Sequence, residues 1–159
     1  MRVEEIAAHL EIQALKASYF RCVDGKDWQG LRALFTADAN LFFPEAQEEP
    51  LPLAASIDFI ASGIGEGVSI HHGHMPEIEI LSPAQARGIW AMEDRIVWPA
   101  ERTSRLGLRS LHGFGHYHED YARSGGRWLI QALKVVRIHA TAVPAGGEAP
   151  AWEVCSLDH

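Results

Sequence analysis

The feature that most constrains the fold is a change in hydrophobic period near Gly67. Before this glycine, apolar residues recur at a spacing of three to four, which is typical of amphipathic helices. The helices predicted from this spacing cover residues 3–23, 28–35 and 53–64. After it the pattern is strand-like, with long runs over residues 68–81, 84–98, 106–122 and 128–139. Helices followed by a meander of strands predict the α+β class.

The long strand-like runs predict a bent sheet that encloses a pocket. Their apolar side chains lie on both faces, so the outside of the sheet needs cover from helices or a neighbouring subunit. Gly113 and Gly115 are candidates for the bend. A short strand is predicted over residues 40–43, and the acidic, proline-containing loop 44–52 is expected to lie across the pocket opening.

Length and charge limit the classes of partner. The 159 residues suit one domain, predicted over 1–142, with a tail over 143–159 rich in Ala, Gly and Pro. Fourteen basic residues against 21 acidic ones, with no basic cluster, argue against nucleic acid. No apolar run approaches the ~20 residues that span a bilayer, and the N-terminus is unlike a signal peptide, so a cytoplasmic protein is expected. Cys22 and Cys155 are expected to be free thiols.

Several short motifs, in order along the chain, resemble a known superfamily. The opening motifs are Tyr19-x4-Asp24, Asp27-Trp28 and Leu34-Phe35-Thr36-x-Asp38-Ala39. The later ones are His71 five residues before Pro76, then Ala86-x-Gly88-x-Trp90 and Gly115-x-Tyr117-x3-Tyr121. Together they resemble the SnoaL-like, nuclear transport factor 2 type superfamily over roughly residues 5–139. The resemblance is greatest to scytalone dehydratase, bile-acid 7α-dehydratase and hexachlorocyclohexane dehydrochlorinase.

The resemblance implies a cone-shaped α+β barrel, with N-terminal helices packed on a strongly curved, mainly antiparallel sheet. It also implies no cofactor and a homo-oligomer, often a trimer, although a dimer stays open. Its catalytic aspartate, histidine and tyrosine map onto Asp24, His71 and Tyr19. Histidine is a suitable general base near neutral pH, a carboxylate orients it, and a phenol can donate a proton. This trio suffices for a cofactor-free elimination.

The histidine assignment has two alternatives. His71 and His72 point to opposite faces of an ideal strand, and a bulge would exchange their roles. Histidines also cluster as His72-x-His74 and His116-x-His118. These pairs would offer four imidazoles to a metal if their strands were neighbours, with Glu79 or Glu119 as a further ligand. Strand histidines more often line pockets or bind other sheet residues, so no metal is expected.

The expected substrate is small and hydrophobic or aromatic. Apolar walls with a few convergent polar groups are typical of such sites. The predicted substrate-binding residues are Trp28, Phe43, Trp90, Met92, Phe114, His116 and Arg123. Arg123 maps near a leaving-group arginine of the dehydrochlorinases, yet Ser124-Gly125-Gly126 follows it directly, which also suits a plain turn residue.

The predicted function is a cofactor-independent lyase of the dehydratase type, acting on a small ring-containing substrate. Two alternatives remain, because a fold does not settle a function. The same fold serves as a non-catalytic ligand-binding or oligomerisation module. The same pocket would also suit an isomerase or cyclase.

Overall fold

The structure, a computed structural model, describes residues 2–100 and 104–147. Three helices and six strands follow one another in the order α1 (Val3–Asp24), α2 (Trp28–Arg32), β1 (Phe35–Phe42), β2 (Leu51–Pro52), α3 (Leu53–Ile64), β3 (Val68–Ser82), β4 (Gln85–Val97), β5 (Leu108–Ser124) and β6 (Arg127–Pro144). The predicted α+β class is confirmed, and the helices precede the long strands as the change of period indicates.

One difference from the predicted boundaries lies where α2 is followed by β1. The helix predicted over 28–35 ends at Arg32, and Phe35 already belongs to β1, which is longer than the strand predicted at 40–43. The cause is tertiary pairing: the Ile130 N–H donates to the Leu34 carbonyl oxygen at 2.9 Å, and Phe35 lies opposite Ile130. Pairing with a distant strand therefore overrides the local helical pattern.

The six strands form one sheet in the order β2-β1-β6-β5-β4-β3. Only β1 and β6 pair in parallel, so the sheet is mainly antiparallel as predicted. The register shifts between Phe114 and Gly115. A Cβ on Gly115 would lie 2.1 Å from the Val136 carbonyl oxygen, so only glycine permits this close approach of β5 to β6.

The helices pack against one face of this curved sheet, called here the inner face. Alternate residues of β4 point inward and are buried, including Trp90, Met92 and Ile96. They meet the apolar sides of α1 and α3, where Ile12 and Ile57 are almost fully buried. The opposite, outer face carries partly exposed apolar residues, among them Ile89, Phe114 and Val136. A subunit covering this face stays a prediction.

The two cysteines and the predicted C-terminal tail are described only in part. Cys22 is a buried free thiol, whereas Cys155 lies outside the described residues. Strand β6 continues to Pro144, two residues beyond the predicted domain boundary, and most of the predicted tail lies outside the described residues. Within the described part of the chain, no helix is both long and apolar enough to cross a bilayer.

Candidate active site

Asp24 and His71 lie together although they are 47 positions apart in the sequence. Their side chains meet with 2.6 Å between Asp24 Oδ1 and His71 Nδ1. The same carboxylate accepts hydrogen bonds from the Ser69 hydroxyl at 2.9 Å and from the His71 N–H at 2.9 Å. Asp24 ends α1, where the helix dipole disfavours a negative charge, and these donors offset that effect. With Nδ1 bonded to the carboxylate, Nε2 is the ring nitrogen left for a substrate.

The register of β3 places His71 and His72 on opposite faces. His71 lies opposite Asp94 on the inner face, and His72 lies opposite Glu93 on the outer face. The bulge that would have exchanged them occurs further along, between His74 and Glu77. His71 is therefore the histidine that the strand presents to Asp24.

An inner cavity of about 220 Å³ borders His71. Its wall is mostly apolar, and its apolar lining includes Phe43, Phe59, Ile60, Ile64, Ile96, Trp98, Leu108 and Val135. The polar groups at this cavity are Tyr19, Glu45, His71, Asp94, Tyr117 and Arg137. Apolar walls with a few converging polar groups are the usual composition of a small-molecule site.

Tyr19 is buried, and its ring borders the cavity. Burial raises its pKa far above the usual range, and the Glu119 carboxylate adds to the increase, whereas a hydrogen bond from the Tyr117 hydroxyl opposes it. Burial also raises the pKa of Tyr117. Both phenols therefore stay protonated and can act as hydrogen-bond donors at neutral pH.

An arginine and two carboxylates complete the polar part of the cavity. Arg137 binds Asp94, which is fully buried, and donates to Glu45 Oε2 at 2.8 Å. Burial acts to lower the pKa of Arg137, but these two carboxylates outweigh it and raise the pKa above its usual value. Gly113 leaves room for the pair, since a Cβ there would lie 2.3 Å from Asp94 Oδ1. The guanidinium is thus a permanent cation at the cavity wall.

Sequence reasoning missed Asp94 and Arg137, although the strands carry a signal for both. Asp94 is a lone carboxylate on the face of β4 that otherwise bears Trp90, Met92 and Ile96. Arg137 follows the buried Val135 by two residues on β6, so the two side chains share the inner face. A charged residue at an inward position needs a partner, and each of these is the partner of the other.

The predicted substrate-binding residues divide into two groups. Phe43 borders the cavity and stacks on Phe59. The other six do not line it: Trp28, Trp90, Met92, Phe114, His116 and Arg123. These positions are corrections to the predicted site.

Physical reasons account for the clearest of these corrections. The Trp90 indole N–H bonds the Tyr121 hydroxyl at 2.8 Å inside the core. Phe114 and His116 point to the outer face, because their partners across the ladder, Glu93 and Ala91, do so as well. Arg123 donates to the Gly126 carbonyl oxygen, which is the role of a turn residue.

The two His-x-His pairs lie on strands that are not neighbours. His74 and His116 both lie opposite Ala91, so β4 separates them. Among the described residues, no group of three or more His, Cys, Asp or Glu side chains is arranged to hold a metal ion.

A larger groove of about 670 Å³ crosses the outer face, but we do not place the site there. It is lined by exposed charged residues such as Glu79, Arg87 and Lys134. Neither Asp24 nor His71 borders it. The smaller inner cavity is the better candidate because it combines apolar walls with a histidine already paired to a carboxylate.

Comparison with known proteins identifies the family. The SnoaL-like domain pattern matches residues 4–134, which is most of the chain. The chain belongs to the SnoaL-like domain family. The probable cyclase FGR4 of Gibberella zeae is 26% identical to this SnoaL-like protein over 137 residues, covering 80% of this chain and 89% of the cyclase.

Solved structures share the fold at low sequence identity. The hexachlorocyclohexane dehydrochlorinase LinA-type3 from Novosphingobium barchaimii superposes with a TM-score of 0.74 at 18% identity, covering 93% of this chain and 98% of the other. A scytalone dehydratase-like protein from Novosphingobium aromaticivorans gives 0.75 at 16% identity, covering 94% and 100%. The expected superfamily and the cone-shaped fold are confirmed. The proteins that resemble the chain in sequence or fold bear the names of a cyclase, a dehydratase and a dehydrochlorinase.

Proposed function

We propose that the protein is a cofactor-independent lyase that removes a proton next to a carbonyl of a small, ring-containing substrate and then expels a hydroxyl group. The observation that carries the proposal is the 2.6 Å contact between His71 Nδ1 and Asp24 beside the inner cavity. This contact fixes the tautomer in which Nε2 is an acceptor for a substrate proton.

The proposed reaction begins when His71 Nε2 takes the proton from the carbon next to the carbonyl. The imidazolium that forms is stabilised by Asp24, and the electron pair of the broken C–H bond moves into an enolate. Collapse of the enolate forms the C=C bond and breaks the C–O bond on the next carbon. The departing hydroxyl receives its proton from the imidazolium, either directly or through Tyr19, which passes on its own proton and takes the imidazolium proton in exchange. Water then leaves, and His71 is again a neutral base.

Negative charge develops on the substrate oxygen during this sequence. Three groups at the cavity wall can stabilise it, namely the phenols of Tyr19 and Tyr117 and the guanidinium of Arg137. Such donors act strongly where water is excluded, and removing one typically costs about 10²- to 10³-fold in turnover. Arg137 is already held by Asp94 and Glu45, so it needs little reorganisation when charge develops.

A cyclase is the second candidate, and the similarity to the probable cyclase FGR4 favours it. The same proton removal would give an enolate that attacks another carbonyl of the substrate, forming a C–C bond without loss of a group. A binding module would make no use of the contact between Asp24 and His71, which is why we place it third.

Two ring ketones of suitable size test the proposal. Exchange of the α-protons of 2-tetralone in D2O, followed by NMR, reports proton removal alone. Conversion of 4-hydroxy-2-tetralone to 2-naphthol and water, followed by fluorescence, reports elimination. His71→Ala should lower both rates by roughly 10²- to 10⁴-fold, the usual contribution of a general base. His72→Ala is the matched control, since this neighbour lies on the outer face.

The outcomes separate the candidate functions. Both rates depending on His71 supports the lyase. Exchange that depends on His71 without release of 2-naphthol points to the cyclase or isomerase. If the wild-type protein catalyses neither reaction, or if His71→Ala leaves both unchanged, the proton-abstraction mechanism is wrong.

A further inference from the structure

A lysine lies fully buried beneath the candidate site. The side chain of Lys16 has no exposed surface, and it precedes Tyr19 by one turn of α1. Its ammonium lies 3.4 Å from the centroid of the Tyr117 ring and 4.1 Å from that of Tyr19. Both rings border the inner cavity. Lys16 thus places a positive charge directly behind two phenols of the cavity wall without touching the cavity itself.

The ammonium of Lys16 is the first member of a chain of buried hydrogen bonds. Lys16 donates to Glu119 Oε1, and the Tyr121 hydroxyl donates to Glu119 Oε2. The Trp90 indole N–H then donates to the Tyr121 oxygen at 2.8 Å. Both oxygens of Glu119 therefore have partners, and the carboxylate holds the ammonium in one place under the rings.

A buried ion pair of this kind need not make the fold more stable. Burying two opposite charges costs desolvation energy that their attraction repays only in part, and well-packed apolar residues often serve as well or better. Burial lowers the pKa of Lys16 to about 8, although Glu119 opposes the shift, which reflects this cost. The buried charge of Lys16 is therefore consistent with a role in the inner cavity next to it.

The position of the charge affects what the phenols can do. A cation against the face of an aromatic ring withdraws electron density from it, which strengthens its hydroxyl as a hydrogen-bond donor. The rings of Tyr19 and Tyr117 lie edge to face with 5.9 Å between their centroids, so the same ammonium acts on both. Burial and the Glu119 carboxylate raise the pKa of Tyr19, which keeps the phenol protonated but weakens it as a donor, whereas the Lys16 ammonium 4.1 Å from the ring centroid acts in the opposite sense. A protonated donor backed by a buried cation suits an oxygen atom on which negative charge develops.

We infer that Lys16, held by Glu119, is a positioning residue that strengthens Tyr19 and Tyr117 as donors to the enolate oxygen of the substrate. The inference rests on the proposed function and extends it. Lys16 lies outside the cavity, yet through the two phenols it makes the cavity bind the enolate more tightly than the parent ketone.

The experiment compares two uncharged probes in a variant that removes both charges together. Lys16→Met alone would leave Glu119 buried without its cation, so the double variant Lys16→Met/Glu119→Gln is used, in which the new side-chain amide oxygen still accepts from Tyr121. The probes are 2-tetralone, a ground-state ketone, and 2-naphthol, whose hydroxyl stands in for the enol oxygen. Affinities follow from fluorescence titration, folding from the melting temperature, and kcat and KM from α-proton exchange of 2-tetralone.

The matched control removes an exposed ion pair from the same region of the sheet. Arg87 on β4 and Asp120 on β5 form an ion pair at 3.3 Å on the outer face. Asp120 is the residue that follows Glu119 in the sequence. Arg87→Met/Asp120→Asn is expected to match the wild-type protein in every measurement. In the inner double variant we expect unchanged affinity for 2-tetralone, about tenfold weaker binding of 2-naphthol, and a similar fall in kcat with KM unchanged.

Two results would overturn the inference. One is wild-type affinity for 2-naphthol together with wild-type kcat in the inner double variant, which would make the pair a structural element. The other is an equal loss of affinity for both probes, which would mean that the cavity itself is disturbed. Failure of the proposed function is distinct, because it appears as absent exchange and absent binding in the wild-type protein.

Discussion

Two histidine–carboxylate pairs lie on opposite faces of the sheet. On the inner face, His71 meets Asp24 at 2.6 Å; on the outer face, His112 meets Glu93 at 2.8 Å. Their burial is similar, with exposed side-chain fractions of 10% and 27% for the inner pair and 25% and 20% for the outer pair. Distance and burial therefore do not distinguish them.

The surroundings of the two pairs do differ. Glu93 also binds the guanidinium of Arg95 at 2.7 Å, so its charge is shared with a permanent cation, and hydrogen bonds from His112 and Arg95 keep its pKa low. The other partners of Asp24 are neutral donors, which leaves its charge to the histidine. His71 also borders a cavity with phenols and an arginine on its wall. A histidine–carboxylate contact becomes a candidate site through these neighbours.

The largest effect expected from this comparison is on the proposed activity. Asp24→Asn should lower the rate of α-proton exchange by roughly 10²- to 10⁴-fold, because an amide N–H facing Nδ1 favours the wrong tautomer of His71. Glu93→Gln makes the same change in the outer pair and should alter the rate by less than about twofold. Similar losses in both variants would contradict the distinction between the two faces.

The next largest effect concerns buried against exposed ion pairs. Lys16→Met leaves the Glu119 carboxylate buried without its cation and should reduce the free energy of unfolding by about 3–5 kcal/mol. Arg87→Met breaks the exposed pair with Asp120 and should cost about 0–1 kcal/mol. Urea unfolding of the two variants measures both values, and a cost below about 1 kcal/mol for Lys16→Met would show that the inner face readily admits water.

The inner face should also determine stability in alkali. Burial raises the pKa values of Tyr19, Tyr117 and Tyr121, so above about pH 10 the unfolded chain loses protons that the folded chain retains. Stability should then fall by about 1.4 kcal/mol per pH unit for each tyrosine. Lys16 acts in the opposite sense: with its pKa lowered to about 8, stability should rise between pH 8 and 10.5.

Urea unfolding between pH 7 and 11 tests this balance. A shallow rise above pH 8 followed by a steeper fall above pH 10 is expected, since three tyrosines outweigh one lysine. A flat profile across the whole range would mean that these groups titrate alike in the folded and unfolded chains.

The smallest effect is expected for the histidines of the outer face. His74 and His116 lie two strands apart, on either side of Ala91, and do not form part of the inner cavity. The double variant His74→Ala/His116→Ala should change the exchange rate by less than about twofold, and neither it nor the wild-type protein should gain stability with zinc. Zinc-dependent stabilisation of the wild-type protein that disappears in this variant would contradict the expectation of no metal site.

Much of the architecture could be predicted, because it depends on local pattern. The helix at Leu53–Ile64 occurs as predicted, and the four long strands lie within a few residues of most of their predicted limits. Period and turn composition act over a few neighbouring residues, so they can be read directly along the chain. The predicted end of the second helix at Phe35 was wrong, because Phe35 pairs with the distant Ile130 and belongs to β1.

The candidate site was predictable only in part. The spacing of Tyr19 and Asp24 and the position of His71 followed from the resemblance, and the structure brings these three residues to one place. Asp94 and Arg137 required the knowledge that β4 and β6 turn those positions inward. Phe114 and Arg123 were wrong as cavity residues for the same reason, since their direction depends on strand register and turn geometry.

By itself, the sequence determined the types of element, their order and the family to which the chain belongs. The tertiary structure decided which of two adjacent histidines meets Asp24, and it brought Lys16 beneath two tyrosines, Tyr19 and Tyr117, that lie far apart in the sequence. The physical reason is that alternation along a strand fixes which residues share a face. Only the register between strands fixes which face meets the helices and which faces outward.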